Sequence, residues 1–255
     1  MRMMQRMKFA GVALAVACLA LCASSASAAE LKVFGSRVTK VILGELGPGF
    51  EKATGFKPEV TADVAQVMKR RIEGGEPFDL AVLVDFQIDD LIRSGKILAD
   101  SRTDIMSSGI GVAVKRGAPK PDISTVEAFK QTLLNAKSIT YLKEGASTIH
   151  LRKLFNQLGI TEAIKSKVVE TDGEEVSEFV AEGKVEIGLI VTPNIMSVQG
   201  AELVGSLPAE INSIVMFTAG VSAQSPNQQA ARELIKLLKS PETRPVIKAK
   251  GNDPA

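Results

Sequence analysis

Short apolar runs that stop on a small or polar residue and pass directly into a segment of helical spacing recur along this chain, which restricts it to a narrow set of folds. Each unit reads as strand, turn and helix. Residues 138–151 (SITYLKEGASTIHL) are the plainest case. Residues 138–142 form a buried strand and residues 143–147 a polar turn that includes Gly145. Leu151, Leu154, Phe155 and Leu158 then line one face of a helix. A helix starting here aims unbonded N–H groups and the positive end of its dipole at whatever lies beyond the strand tip. Ser147 and Thr148 add hydroxyls at the same point. That arrangement suits a small anion, although a Ser or Thr in this place also serves simply as a cap.

The same unit appears in the first half of the chain. Residues 31–34 are a strand ending at Gly35-Ser36-Arg37, and Val38, Val41, Ile42, Leu46, Phe50 and Ala53 mark the next helix. Gly47-Pro48-Gly49 is expected to kink or break that helix, and Gly55 to end it. Ser36 is a cap or a ligand hydroxyl, and Arg37 a solvated charge or a cation of a site. Residues 57–61 are a second strand, followed by Ala62-Asp63, with Asp63 suited as the N-cap of the next helix. Lys69, Arg70 and Arg71 on that helix read as a solvated face. Residues 78–84 are apolar except for Asp79, as in a strand covered on both sides, and Asp85-Phe86-Gln87 opens a helix over 88–94. This alternation makes a parallel α/β lobe.

Residues 107–115 (SSGIGVAVK) break the pattern: a strand rich in small residues with no helix directly behind it. Ser124-Thr125-Val126-Glu127 reads as a capping box for the following helix. After 138–151 come a strand at 167–170, a helix at 173–182, and a strand at 185–191 that stops at Thr192-Pro193-Asn194. These units make a second lobe. Residues 213–222 are long enough for a return crossing, and Ser225-Pro226-Asn227-Gln228 reads as a capping box with Pro at N1. Two lobes joined by two crossing strands enclose a cleft, and ligands of open α/β sheets sit beyond the carboxyl ends of the strands. Those ends are Gly35-Ser36-Arg37, Ala62-Asp63, Asp85-Phe86, Gly145 to Thr148, and Thr192 to Asn194.

Composition narrows the functions such a cleft can have. Arg2, Arg6 and Lys8, an apolar run over 9–22 and Ala26-Ser27-Ala28 read as a cleavable signal peptide over 1–28. The full chain has 31 basic and 29 acidic residues; the three basic residues of that segment leave 28 against 29. The exported part is therefore nearly neutral, and an anion site in it has to be local. Both cysteines fall in the same segment, which leaves no disulfide, thiol nucleophile or cysteine metal site. A single His makes no His-rich metal site, and no acidic run has EF-hand spacing. Nucleic acid is not expected, since there is no basic stripe, no Trp and one Tyr. There is no phosphate-binding P-loop, no complete dinucleotide fingerprint and no G-x-S-x-G elbow.

The stretches VFGSRVTKVILGELGPGFEKATG, RRIEGGEPFDLAVLVD, LIRSGKI, VEIGLIVTPNI and ELIKLLKSPETRPVIKAKG, in this order and spacing, resemble the molybdate-binding group of type II periplasmic solute-binding proteins. These are the capture subunits of ABC importers. The resemblance covers essentially the whole exported chain. It implies an α/β fold of two Rossmann-like lobes joined by two crossover strands, one lobe from 29–108 with 205–255 and the other from 109–204. It further implies a periplasmic location, no cofactor, a permease partner and a monomer.

Ser36 matches the hydroxyl that the family carries at its first strand tip. Ala62-Asp63-Val64 departs from its serine-rich second tip, Thr192 stands where a tyrosine is usual, and Arg37 has no counterpart in a site built from neutral donors. The segment SGIGVAVKRGAPKPDISTVEAFKQTLLNAKSITY resembles a sub-branch that includes an exported isomerase of aconitate. The expected ligand is thus a small anion, an organic carboxylate or an oxyanion, met by Ser36, Arg37, Asp63, Gly145, Ser147, Thr148, Thr192 and Asn194, with Arg37 as a clamp. The alternative is an aconitate isomerase-like enzyme that moves a proton on a tricarboxylate. It needs a base near a C–H bond, for which His150 and Asp63 are the candidates; His150 otherwise reads as a locally satisfied side chain.

Overall fold

A computed structural model of the protein describes residues 28–172 and 175–255. Residues 1–27 of the expected signal peptide over 1–28 lie outside the described residues, as do Gly173 and Glu174 of the expected 173–182 helix.

The first half runs β1 (Ala29–Gly35), α1 (Arg37–Thr54), β2 (Phe56–Ala62), α2 (Ala65–Glu73), β3 (Leu80–Val84) and α3 (Asp85–Arg93). The long strand β4 (Thr103–Lys115) leads into α4 (Val126–Asn135), β5 (Ile139–Leu142), α5 (Ala146–Gln157), α6 (Thr161–Ile164), β6 (Val168–Thr171), α7 (Val176–Glu182), β7 (Ile187–Val191) and α8 (Thr192–Met196). The chain then returns through β8 (Ala201–Ser206), β9 (Ile214–Val221), α9 (Gln228–Lys239), α10 (Arg244–Ala249) and β10 (Asp253–Pro254). The strands order as β2-β1-β3-β9-β4-β7-β5-β6, with β8 and β10 also on β4.

Each half keeps its βα units parallel: β1 with β2 and β3, and β5 with β6 and β7. β4 joins them. Its residues 103–109 pair antiparallel with β9, and residues 110–115 with β7 and β8. The small residues of 107–115 have a steric reason. A Cβ on Gly109 would lie 2.8 Å from Asn212, and one on Gly111 2.8 Å from both Leu203 and Thr192. The second crossing is not β9 itself, which lies between β3 and the first part of β4. Residues 207–213 carry the chain back, held where Asn212 Oδ1 accepts the N–H of Ile110 (2.9 Å).

The apolar core follows the alternation of the strands. Val33 and its neighbour Phe34 point to opposite faces. Val33 packs with Ile42, Phe50, Leu234 and Leu238, and Phe34 with Met68, Ile72, Ile88 and Leu91. In the second half Phe129, Leu133, Leu151, Leu154 and Phe155 cover one face, and Val176, Val180 and Ile195 the other.

Local signals gave way in four places. α1 runs on through Pro48 instead of breaking. Ile42, Leu43 and Phe50 are buried on both sides of the proline; their packing outweighs a local cost of about 3 kcal/mol. Gly55 does end the helix in the left-handed conformation, at φ 76°. Asp63 is not the N-cap of α2; that residue is Val64. The Asp63 N–H bonds Gly35 O (3.1 Å), so Asp63 still belongs to the β1–β2 ladder. Thr125, not Ser124, caps α4 by accepting the Ala128 N–H (3.1 Å), because the Ser124 N–H is held by Asp122 Oδ1 (2.9 Å). The box at 225–228 does not form: α9 starts only at Gln228, and Ser225 lies ahead of its N-cap Asn227, accepting the Asn227 N–H (2.9 Å) while donating its hydroxyl to Asp79.

That bond belongs to a closed polar cluster at the amino end of β3. Asp79, 4% exposed, accepts from the Lys32 N–H (2.7 Å), the Ser225 hydroxyl and Asn227 Nδ2 (3.3 Å). Its carboxylate thereby ties β1, β3 and the start of α9 together. Asp79→Ala would orphan these donors, at about 1–3 kcal/mol for each buried group left unsatisfied. Urea unfolding should show at least about 2 kcal/mol lost. Solute affinity should stay unchanged, because Asp79 lies a full strand length from the carboxyl-end tips.

Candidate functional site

β1 and β2 stop level with one another, at Gly35 opposite Ala62. Ser36 and Asp63 therefore stand side by side on strands about 4.8 Å apart. Ser36 is 8% exposed and caps α1 in extended geometry; its Oγ accepts the Thr39 N–H at 3.5 Å and lies 3.5 Å from Thr39 Oγ1. Contacts this long leave the hydroxyl free to bond more strongly elsewhere. Gly35 has no space for a side chain, since a Cβ would sit 2.8 Å from Thr39. Asp63 accepts the Val64 N–H through Oδ1 (2.7 Å). The Arg71 guanidinium behind it, 5.0 Å from the Phe34 ring centroid, is raised above its usual range chiefly by its bond to Glu76, with burial opposing. The Asp63 charge adds a smaller push in the same direction.

On the other half, β5 ends at Leu142 and Gly145 begins α5 at φ 157°, ψ 168°, a conformation essentially reserved for glycine. No side chain caps this helix. Thr148 donates its hydroxyl to Leu142 O (2.7 Å), which fixes the turn. Ser147 is 5% exposed and its hydroxyl bonds to no other described residue. It stands in the first turn of α5, on the side of the free N–H groups. His150 is committed locally, with Nε2 2.7 Å from Ile211 O on the return crossing.

Thr192 begins α8 where β7 meets β4. Its Oγ1 lies 2.9 Å from Ser108 Oγ and donates to Gly251 O (3.1 Å), so it ties the joint between the halves. Asn194 is 5% exposed and its side chain bonds to no other described residue.

Two ion pairs bring the walls together. Arg37, the first residue of α1, bonds Glu178 of α7 through Nη1 and Oε1. Arg70 of α2 bonds Glu144, which directly precedes Gly145, at 2.7 Å. Both pairs keep substantial exposure, so each contributes only about 0–1 kcal/mol. Glu178 was not among the candidates from sequence. It lies within the helix expected over 173–182, but no local pattern shows that this helix meets α1. The second oxygen of Glu178, Oε2, is buried without a hydrogen-bond partner. Hollows of about 510 and 270 Å³ lie elsewhere, against Lys120, Gln131 and Glu186, and against Lys32, Asp79 and Lys96; neither is lined by a strand tip named above. Among the described residues no group of three or more His, Cys, Asp or Glu could hold a metal ion, and no helix is long and apolar enough to cross a membrane.

With this geometry in view, the likeness to known proteins has a structural meaning. The family model described as "Bacterial extracellular solute-binding protein" matches residues 31–252. An aconitate isomerase from a Pseudomonas species is 34% identical over 216 residues, 82% of each chain. The molybdate-binding protein ModA of Azotobacter vinelandii is 28% identical over 245 residues, 91% of this chain and 92% of the other. The solved structure of the Azotobacter vinelandii periplasmic molybdate-binding protein superposes with a TM-score of 0.74 at 18% identity, over 87% of this chain and 98% of that one. It shares the fold of two α/β lobes about a common joint. The chain belongs to the bacterial extracellular solute-binding proteins, of the type that serves ABC importers.

Proposed function

We propose that the protein captures a small carboxylate-bearing or oxyanionic solute between its lobes in the periplasm and delivers it to an ABC permease. The observation that carries this reading is the Arg37–Glu178 bond across the groove. It sets the N-terminus of α1 opposite the second lobe, while Arg70–Glu144 brings the turn before α5 to the first. Backbone N–H groups of α1 and α5, with Ser36 and Ser147, then converge on one space, and such helix starts favour negative charge. Arg37 supplies a cation for a carboxylate. Thr148 and Thr192 hold the walls in place, and Gly145 and Asn194 complete the lining. The division into 29–108 with 205–255 against 109–204, export by the N-terminal segment and action as a monomer belong to the same proposal.

A thermal-shift screen of oxyanions and of di- and tricarboxylates is the direct test, because a ligand that binds only the folded state raises the melting temperature. The expected result is a concentration-dependent rise with at least one of these solutes. Flat curves across both classes would refute the capture role. Arg37→Ala should weaken the best solute at least tenfold by calorimetry, in line with about 1.5–3 kcal/mol for a hydrogen bond to a charged group. Unchanged affinity would remove Arg37 from the site.

The 34% identity to an aconitate isomerase supports a second reading, proton transfer on a tricarboxylate. Asp63 and His150 are its candidate bases. Asp63 retains an oxygen, Oδ2, that accepts from no described residue, whereas His150 is bonded to Ile211 O. Incubating the pure protein with cis- or trans-aconitate and following interconversion separates the readings. Turnover abolished by Asp63→Asn would establish the enzyme, and tight binding without turnover leaves transport alone.

A further inference from the structure

The groove contains groups that a bare anion has no use for. Glu178 places one carboxylate oxygen on Arg37, and its other oxygen is buried with no donor. On the facing wall Asp63 Oδ1 takes the Val64 N–H, and Oδ2 accepts from no described residue. An ionised carboxylate is acceptor-only and seeks several donors. Beside the N–H groups and hydroxyls that fit an anion there are thus unsatisfied acceptors, which repel one. A sulfate-like oxyanion or an unsubstituted polycarboxylate would meet the donors and leave Glu178 Oε2 unmatched, and leaving a buried acceptor unmatched is how a polar site rejects an analogue that lacks the donor.

We infer that the solute carries a hydrogen-bond donor, a hydroxyl or an ammonium group, close to its carboxylate, and that Glu178 is the residue that selects it. The inference rests on the groove being the solute site. The carboxylate of the solute lies against Arg37, Ser36, Ser147 and the helix starts, and its donor points to Glu178 Oε2. Arg37 then bridges the two carboxylates, that of the protein and that of the solute.

Calorimetry with matched probes tests this without knowledge of the natural solute: L-malate and L-aspartate against succinate, and citrate against tricarballylate. In the unaltered protein the donor-bearing member of at least one pair should bind ten or more times more tightly. In Glu178→Ala that preference should fall below threefold; the ratio is the readout, whatever happens to absolute affinity. Equal binding within every pair overturns the inference, as does a preference that survives Glu178→Ala. A uniform tightening of all probes in the variant would make Glu178 a mere competitor for Arg37, and overturns it too. If the variant does not fold, the ratios in the unaltered protein decide alone. Should no carboxylate, sulfate or molybdate bind at all, the groove itself is misassigned and the selection role falls with it. That outcome is distinct from one in which succinate binds and malate gains nothing.

Discussion

The backbone ladder along β4 passes from β9 to β7 and β8 at Gly109 and Ile110, and the groove depends on that shared strand. Hydrogen bonds on both stretches keep the halves from separating, so relative motion is confined to bending and twisting about the joint. The joint is tightly packed. Asn212, Leu203 and Thr192 press on the two glycines, where any side chain would collide. Thr192 adds bonds to Ser108 and to Gly251, which anchors the end of the chain at the same place. Partly exposed ion pairs link the two walls of the groove, and their small worth makes opening inexpensive. A stiff joint and a weak clasp suit a protein that has to take up a solute and release it.

Charge is handled locally throughout. Residues 29–255 carry 28 basic and 29 acidic side chains, so no long-range field draws an anion to them. What distinguishes the groove is orientation. Parallel βα units place each helix start at the same edge of the sheet, and two such edges face each other because β4 is common to both. Where charge is buried away from the groove it is fully matched, as at Asp79, whose carboxylate joins three segments. Glu178 differs: one of its oxygens is on Arg37 and the other is buried without a donor.

Particular residues show how far the sequence could be read. Gly55 and the helix faces of α5 and α9 follow from spacing and local conformation alone; on α1 the expected Val38, Ile42 and Phe50 are buried, but Ala53 is exposed and Leu43 is buried in its stead. The caps proved harder. Asp63, Ser124 and Ser225 each have the right chemistry for an N-cap, yet each is claimed by a competing bond, to the β1–β2 ladder, to Asp122 and to Asp79. The last partner is far away in sequence, so no local pattern reveals it. Pro48 failed as a breaker for the related reason that burial on both sides overrode propensity.

The alternation of strand and helix, the change of pattern at 107–115 and the placing of hydroxyls and glycines at strand ends are legible in the chain alone, because these depend on neighbours within a few residues. Which tips meet is settled by the folded arrangement. The pairing of Arg37 with Glu178, of Arg70 with Glu144 and of His150 with Ile211 joins residues 61 to 141 positions apart. Side-chain bonds of that kind exist only after the sheet has closed around β4. The composition of a groove wall is therefore a property of the assembled halves, while the grammar of each wall is already present in a single strand–turn–helix unit.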